Sequence, residues 1–225
     1  RRRCGYWTMP FSADTDVDVF YKPAVDLIHL NTDIILADRD VMHYVDKLHF
    51  MPEVMENSIN NLDLSVQISL ATKGQDERHR TIRRGGQMFT NNFYIPPILK
   101  DIGLEDSAVV VMREWERVRH GLPDTLGVSL APYGAMVTYN KSGSFNAVMH
   151  EAGKRTCWCA QEEVYHLSIA TRSALEGVLG SDSEVLAMFE PPCYRTGVCV
   201  EGDRYCGRDI KLRETTKYLT TERRV

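Results

Sequence analysis

Apolar positions along the chain change period several times, and each change predicts an element. Ile59, Leu62, Val66 and Leu70 recur at helical spacing, with Leu64, Ile68 and Ala71 beside them. They predict one long amphipathic helix running to about Arg80. Residues 105–120 place Val109, Met112 and Trp115 or Glu116 on successive turns and predict a second helix. Phe145, Val148, Met149 and Ala152 predict a third, stopped near Gly153. Val164, Leu167, Thr171, Ala174 or Leu175 and Val178 predict a final long helix ending at Gly180. Short apolar runs at 17–21, 27–30 and 34–37 alternate with Asp and Pro and read as strands or extended pieces, with a short helix at 41–48. Runs at 126–130 and 135–139, around Pro132, also read as strands. Arg83-Arg84-Gly85-Gly86 reads as a loop, because two adjacent glycines favour backbone angles that other residues avoid. This mixture of helices and strands predicts a mixed α/β architecture.

Composition narrows the class. A chain of 225 residues with 43% hydrophobic and 26% charged residues fits one large globular domain. The expected layout is a basic N-terminal arm at 1–15, a single domain at 16–210 and a polar tail at 211–225. The net charge of −4 argues against a general nucleic-acid coat while leaving room for a small basic pocket. No apolar run approaches the roughly 20 residues that span a bilayer. The start, Arg1-Arg2-Arg3-Cys4, is not a signal peptide, so no membrane partner and a cytoplasmic location are expected. Five of the six cysteines fall late, at Cys157, Cys159, Cys193, Cys199 and Cys206. Their spacing matches no standard zinc finger, which favours reduced structural thiols and no metal.

The densest chemistry is Gln75-Asp76-Glu77-Arg78-His79-Arg80. Two guanidiniums flank an imidazole, a cluster that repels itself unless an anion sits against it. Arginine forks grip two phosphate oxygens at once, which suggests a bound nucleotide or dinucleotide. A solvated basic helix end, complementing the C-terminal dipole, is the alternative.

The run Ser69-Leu70-Ala71-Thr72-Lys73-Gly74-Gln75-Asp76-Glu77-Arg78-His79-Arg80 resembles the signature helix of the flavin-dependent thymidylate synthases, Ser-Arg-Ala-x-x-x-Gln-x-x-Arg-His-Arg. A second block, Arg155-Thr156-Cys157-Trp158-Cys159-Ala160-Gln161-Glu162-Glu163-Val164, resembles the family pattern Leu-Arg-x-x-x-x-Ala-Gln-Trp-Glu-Ile. The tail from Pro191 to Gly207 looks like the cysteine-bearing ending of some members. The resemblance implies a central sheet flanked by helices and a homotetramer whose active sites are shared among subunits. It implies FAD as cofactor, methylenetetrahydrofolate and NADPH as co-substrates, and a pyrimidine nucleotide, dUMP or an analogue, as methyl acceptor. Flavins carry the difficult redox step while the protein positions and polarises. By the same resemblance Arg155 holds the pyrimidine and is the candidate catalytic residue. Arg78, His79 and Arg80 align with residues that contact the flavin and its diphosphate, and Asn146 and His150 fall near positions close to the flavin ring. Gln75 and Arg78 lie on the nucleotide side. Gln161 is assigned a structural hydrogen bond.

The chain departs from the family after Arg80, where x-x-Ser-x-Asn-Glu-x-Ser-x-Arg-Tyr is expected. Arg83, Gly85, Gly86, Met88, Thr90 and Asn91 stand there instead. A small insertion would bring Thr90, Asn92 and Tyr94 onto the serine, arginine and tyrosine. The lost phosphate contacts are of a kind worth about 1.5–3 kcal/mol each. Arg83 and Arg84 are the candidates to replace that charge. A further family arginine falls on Val128. The flavin half of the signature is thus better kept than the dUMP half, which predicts a divergent methyltransferase with an altered acceptor. The alternative is a catalytically silent copy of the same fold.

Overall fold

A period of two governs residues 61–69. The computed structural model describes residues 9–11, 18–30, 61–199, 201–207 and 223. The elements predicted at 34–37 and 41–48, the arginines at 1–3 and nearly all of the tail lie outside the described residues. In place of one long helix from Ile59 to Arg80, the chain forms strand β3 (Asn61–Ser69) and then a short helix, α1 (Leu70–Asp76). Leu62, Leu64, Val66 and Ile68 are each at most 1% exposed, while the residues between them are half-buried. Each buried aliphatic side chain contributes about 1.5–3 kcal/mol. That outweighs helix-propensity differences of about 0.7 kcal/mol or less per residue. Ser69 marks the switch: its hydroxyl accepts the Thr72 N–H at 3.1 Å and caps α1.

The other strands are β1 (Val19–Phe20), β2 (Ala24–Leu30), β4 (Arg83–Tyr94) and β5 (Ala135–Ser144). They form one five-stranded sheet in the order β1-β4-β5-β3-β2, antiparallel except for the β1–β4 pair. The expected loop at 83–86 is the first part of β4. A register shift between Gly85 and Met88 absorbs the glycines, and Gly86 has φ of +65°, a conformation that a Cβ would penalise.

Helices flank this sheet. They are α2 (Pro97–Asp101), α3 (Glu105–Arg119), α4 (Asp124–Ser129), α5 (Phe145–Arg155) and α6 (Glu162–Leu179). A single turn, α7 (Pro192–Thr196), follows a 3-10 segment. Residues 126–130, expected as a strand, belong mainly to α4. There Val128 is buried and the Gly127 carbonyl accepts the Trp115 indole N–H at 3.0 Å, so tertiary packing overrides the apolar run. The helix predicted to stop near Gly153 continues to Arg155, which places that arginine in its last turn.

Candidate functional site

The C-terminal end of α1 faces the C-terminal end of α5, and a buried charge network holds them to the sheet. Arg84 and Lys141 are directly opposite in the β4–β5 register, and Leu64 is opposite Lys141 in the β3–β5 register. Directly opposed residues share a face. The sheet therefore supplies two cations to a face otherwise lined with apolar side chains. The helices supply the carboxylates, Asp76 from α1 and Glu151 from α5. Lys141 Nζ contacts Asp76 Oδ1 at 2.7 Å and Glu151 Oε1 at 2.5 Å. The Tyr139 hydroxyl donates to Asp76 Oδ2 at 2.6 Å. Arg84 Nε donates to the same oxygen at 2.5 Å, and Arg84 Nη2 reaches Glu151 at 3.4 Å.

Burial would raise the Asp76 carboxyl, but the charges of Lys141 and Arg84 outweigh it and hold the group well below the usual carboxylate range. Glu151 goes the other way. Burial, reinforced by the negative charge of Asp76, pushes it up to about 7 against the pull of Lys141.

Arg84 does more than neutralise. Its Nη1 donates to the carbonyls of His79 at 2.8 Å and Ile82 at 2.9 Å, and its Nη2 donates to the Asp76 carbonyl at 2.5 Å. One guanidinium thus ties down the whole turn that carries Arg78, His79 and Arg80. Its side chain is 5% exposed. The expected role for Arg84, a cation offered to substrate, does not fit this placement, because all three nitrogens already hold protein acceptors.

The predicted residues distribute around that turn. Arg155 Nη2 donates to the Gln75 carbonyl at 2.9 Å, so the two sequence blocks meet. Arg155 Nε is buried with no hydrogen-bond partner, which is costly for a charged donor. His79 and His150 stand edge to face, with ring centroids 6.1 Å apart. Burial, then the charge of Arg155, lowers His79 to about 4, so its imidazole is neutral near neutral pH. Arg78, Arg80 and Arg83 are exposed, and Gln75 is half-buried. Asn146 lies one helical turn before His150 in α5, and its side chain lies outside the described residues.

Gln161 caps α6, its Oε1 accepting the Val164 N–H at 3.1 Å and the Thr72 hydroxyl at 3.3 Å. Thr90, Asn92 and Tyr94, the substitutes suggested by an insertion, are engaged elsewhere. Thr90 Oγ1 donates to the Met136 carbonyl at 3.3 Å, Asn92 Oδ1 accepts the Asp18 N–H at 3.4 Å, and the buried Tyr94 hydroxyl donates to Glu162. Sequence reasoning missed Asp76, Lys141, Glu151 and Tyr139 as partners. Lys141 carried a signal, a charge at an inward position of the alternating row Val137, Tyr139, Lys141.

No family model matches the chain, and no curated protein sequence matches it. Solved structures do. The crystal structure of the UMP/dUMP methylase PolB from Streptomyces cacaoi bound with 5-Br UMP is similar over 78% of this chain and 99% of that one, at 15% identity and a TM-score of 0.56. The same methylase bound with 5-Br dUMP is similar over 71% and 92%, at 14% identity and a TM-score of 0.55. At these identities the likeness is one of fold: a mixed α/β sheet flanked by helices, arranged as in these nucleotide methylases.

Proposed function

We propose that the protein is a divergent flavin-dependent methyltransferase acting on a pyrimidine nucleotide of the dUMP type, with methylenetetrahydrofolate as carbon donor and NADPH as reductant. The observation that carries this reading is the buried, unpartnered Nε of Arg155, held beside His79 by the Gln75 carbonyl. Such a donor fits an electron-rich ligand that completes the site. The fold it shares with two solved UMP/dUMP methylase structures supports the same class.

The exposed Arg78 and Arg80 and the adjacent His79 and His150 rings support FAD as the cofactor. Arg78 and Arg80 would hold its diphosphate, and His79 and His150 would line its ring. When bound, the flavin supplies the redox chemistry of the one-carbon unit. The protein's own part is positioning and charge. Arg155 would donate to a pyrimidine carbonyl and stabilise negative charge as it builds there. His79, neutral at working pH, would present a hydrogen bond without adding charge to the Arg155 field. Gln75, Arg78 and the exposed Arg83 would face the nucleotide. A homotetramer in which neighbouring chains complete each site is part of the proposal.

The withdrawal of Arg84 into the network favours a second reading, a catalytically silent chain that keeps the fold and its nucleotide-binding cations. One experiment separates the two. The purified chain is mixed with FAD, and absorbance and melting temperature are followed. It is then given dUMP, labelled methylenetetrahydrofolate and NADPH. FAD uptake with a raised melting temperature and label at the pyrimidine C5 supports the enzyme, because a ligand of the native state must stabilise it. FAD uptake without label transfer to dUMP, UMP or their analogues supports the silent reading. A colourless chain indifferent to FAD refutes the enzyme, and if dUMP and UMP also leave its melting temperature unchanged, the silent nucleotide-binding reading falls with it.

A further inference from the structure

Five thiols that are scattered in sequence converge in space. Cys157 and Cys159 lie just after α5, Cys193 lies on α7, and Cys199 and Cys206 lie in the irregular stretch beyond it. All five line one cleft of about 20 Å³, together with Trp158 and Tyr194. That is room for one or two waters, enough for a single ion. No disulfide joins them, and all five are free. The cleft is separate from the network around Asp76.

The surrounding fold also points to a cross-link. Among the described residues from Pro191 to Gly207 there is one helical turn and one 3-10 turn, and Pro191 and Tyr194 are the buried side chains. A segment with so little core requires another source of order.

We propose that Cys157, Cys193, Cys199 and Cys206 bind one zinc ion that staples the 191–207 segment to the end of α5. Four thiolates around one divalent cation are a structural zinc set. Binding releases four protons: Zn²⁺ with four thiols gives a tetrathiolate complex of charge −2 and four H⁺, with no redox change. Cys159 is the spare. It is exposed, and its sulfur donates to the Arg204 carbonyl at 3.5 Å. As the side chains stand, no three are grouped to hold an ion among the described residues. Closure therefore takes side-chain rotation, which the partial exposure of Cys157, Cys193 and Cys199 and the full exposure of Cys206 permit.

The test loads the full chain with zinc under reductant, desalts it through a weak chelator and measures the metal by elemental analysis. About one zinc per chain is expected, released as a mercurial titrates the thiols. Cobalt in its place should give the thiolate charge-transfer absorption of a four-sulfur site. C157S, C193S and C206S should each lose the ion at least tenfold more readily, with far-UV circular dichroism reporting that each still folds, and C159S should keep it. Cobalt spectroscopy on the unsubstituted chain decides the matter if any variant fails to fold. No retained metal, a mass lowered by two per disulfide formed, a cobalt spectrum lacking sulfur ligation, or zinc loss in C159S equal to that in C157S would each overturn the assignment.

Discussion

Replacing Arg84 with methionine tests whether that side chain is structural or a substrate ligand. Methionine approximates the volume of the stem and removes the charge and every donor. Asp76 would lose its 2.5 Å partner, and the carbonyls of Asp76, His79 and Ile82 would lose theirs. Lys141 would remain as the only cation against two buried carboxylates. Summing charge-assisted bonds at about 1.5–3 kcal/mol each would overcount, because the bonds share one side chain and one desolvation. The better guide is removal of one partner from a buried ion pair, about 3–5 kcal/mol. With a urea slope of about 2 kcal/mol/M, the unfolding midpoint should fall by about 1.5–2.5 M. The assay is urea denaturation followed by far-UV circular dichroism with no ligand present. R84K should recover only part of the loss, since an ammonium restores the charge and not the fork. In the R84M background, Asp76→Asn should cost less than in the native chain, because the two act through one bond set. A midpoint within about 0.5 M of native, coupled with lost nucleotide binding, would refute the structural assignment and return Arg84 to the ligand.

Two further outcomes follow from the same geometry. Glu151 is raised to about 7 in the fold from 4.5, so the folded chain binds its proton more tightly than the unfolded chain. Its contribution to stability is complete below about 4.5 and is lost as pH rises through about 7. Over nearly the same window His79, lowered to about 4, makes stability grow with pH. Native midpoints should therefore stay nearly level while those of Glu151→Gln rise with pH, and parallel slopes would exclude Glu151 as a titrating group. Gly134 is a close approach: an added Cβ would stand 2.1 Å from Met112 Cε and 2.7 Å from the Tyr94 carbonyl oxygen. Methionine can move and the strand carbonyl cannot, so Gly134→Ala should lose about 1–3 kcal/mol. That should appear in a thermal melt as a drop of roughly 2–4 °C per kcal/mol, and an unchanged melt would contradict the packing described.

Three amphipathic helices were legible in the sequence, whereas the longest predicted helix, at 59–80, and the 12-residue strand β4 were not. α3, α5 and α6 follow their apolar spacing to within a few residues. β3 was misread because Leu62 and Val66 belong equally to a four-residue and a two-residue period. The intervening Leu64 and the capping Ser69 break the tie, and both were visible. α4 is six residues long, too short for periodicity to declare itself, and the carbonyl of its Gly127 anchors Trp115. The meeting of Arg155 with Gln75 followed from aligning two blocks with one family pattern, and spacing alone would not have joined them. The fate of Arg84 was hidden for a different reason. It depends on cross-strand register with Lys141, set by a bulge at Gly85 to Met88 that no local rule locates.

That register also explains why Arg155 keeps an open donor in a neighbourhood with two buried carboxylates. Tyr139, Lys141 and Arg84 crowd onto Asp76, and Lys141 and Arg84 reach Glu151. Arg155 is left with a backbone carbonyl for one nitrogen and nothing for Nε. Had Arg84 pointed outward, Asp76 would keep Lys141 and Tyr139 but lose the guanidinium on Oδ2, and that oxygen would be open to a neighbouring guanidinium, weakening the positive field near His79. His79 registers that field directly, since after burial the charge of Arg155 is the largest cause of its lowered ionisation. The inward arginine therefore sets the chemistry of the outward one. Loss of Arg84 should lower stability first and anion affinity second, whereas loss of Arg155 should lower affinity and leave the buried network intact.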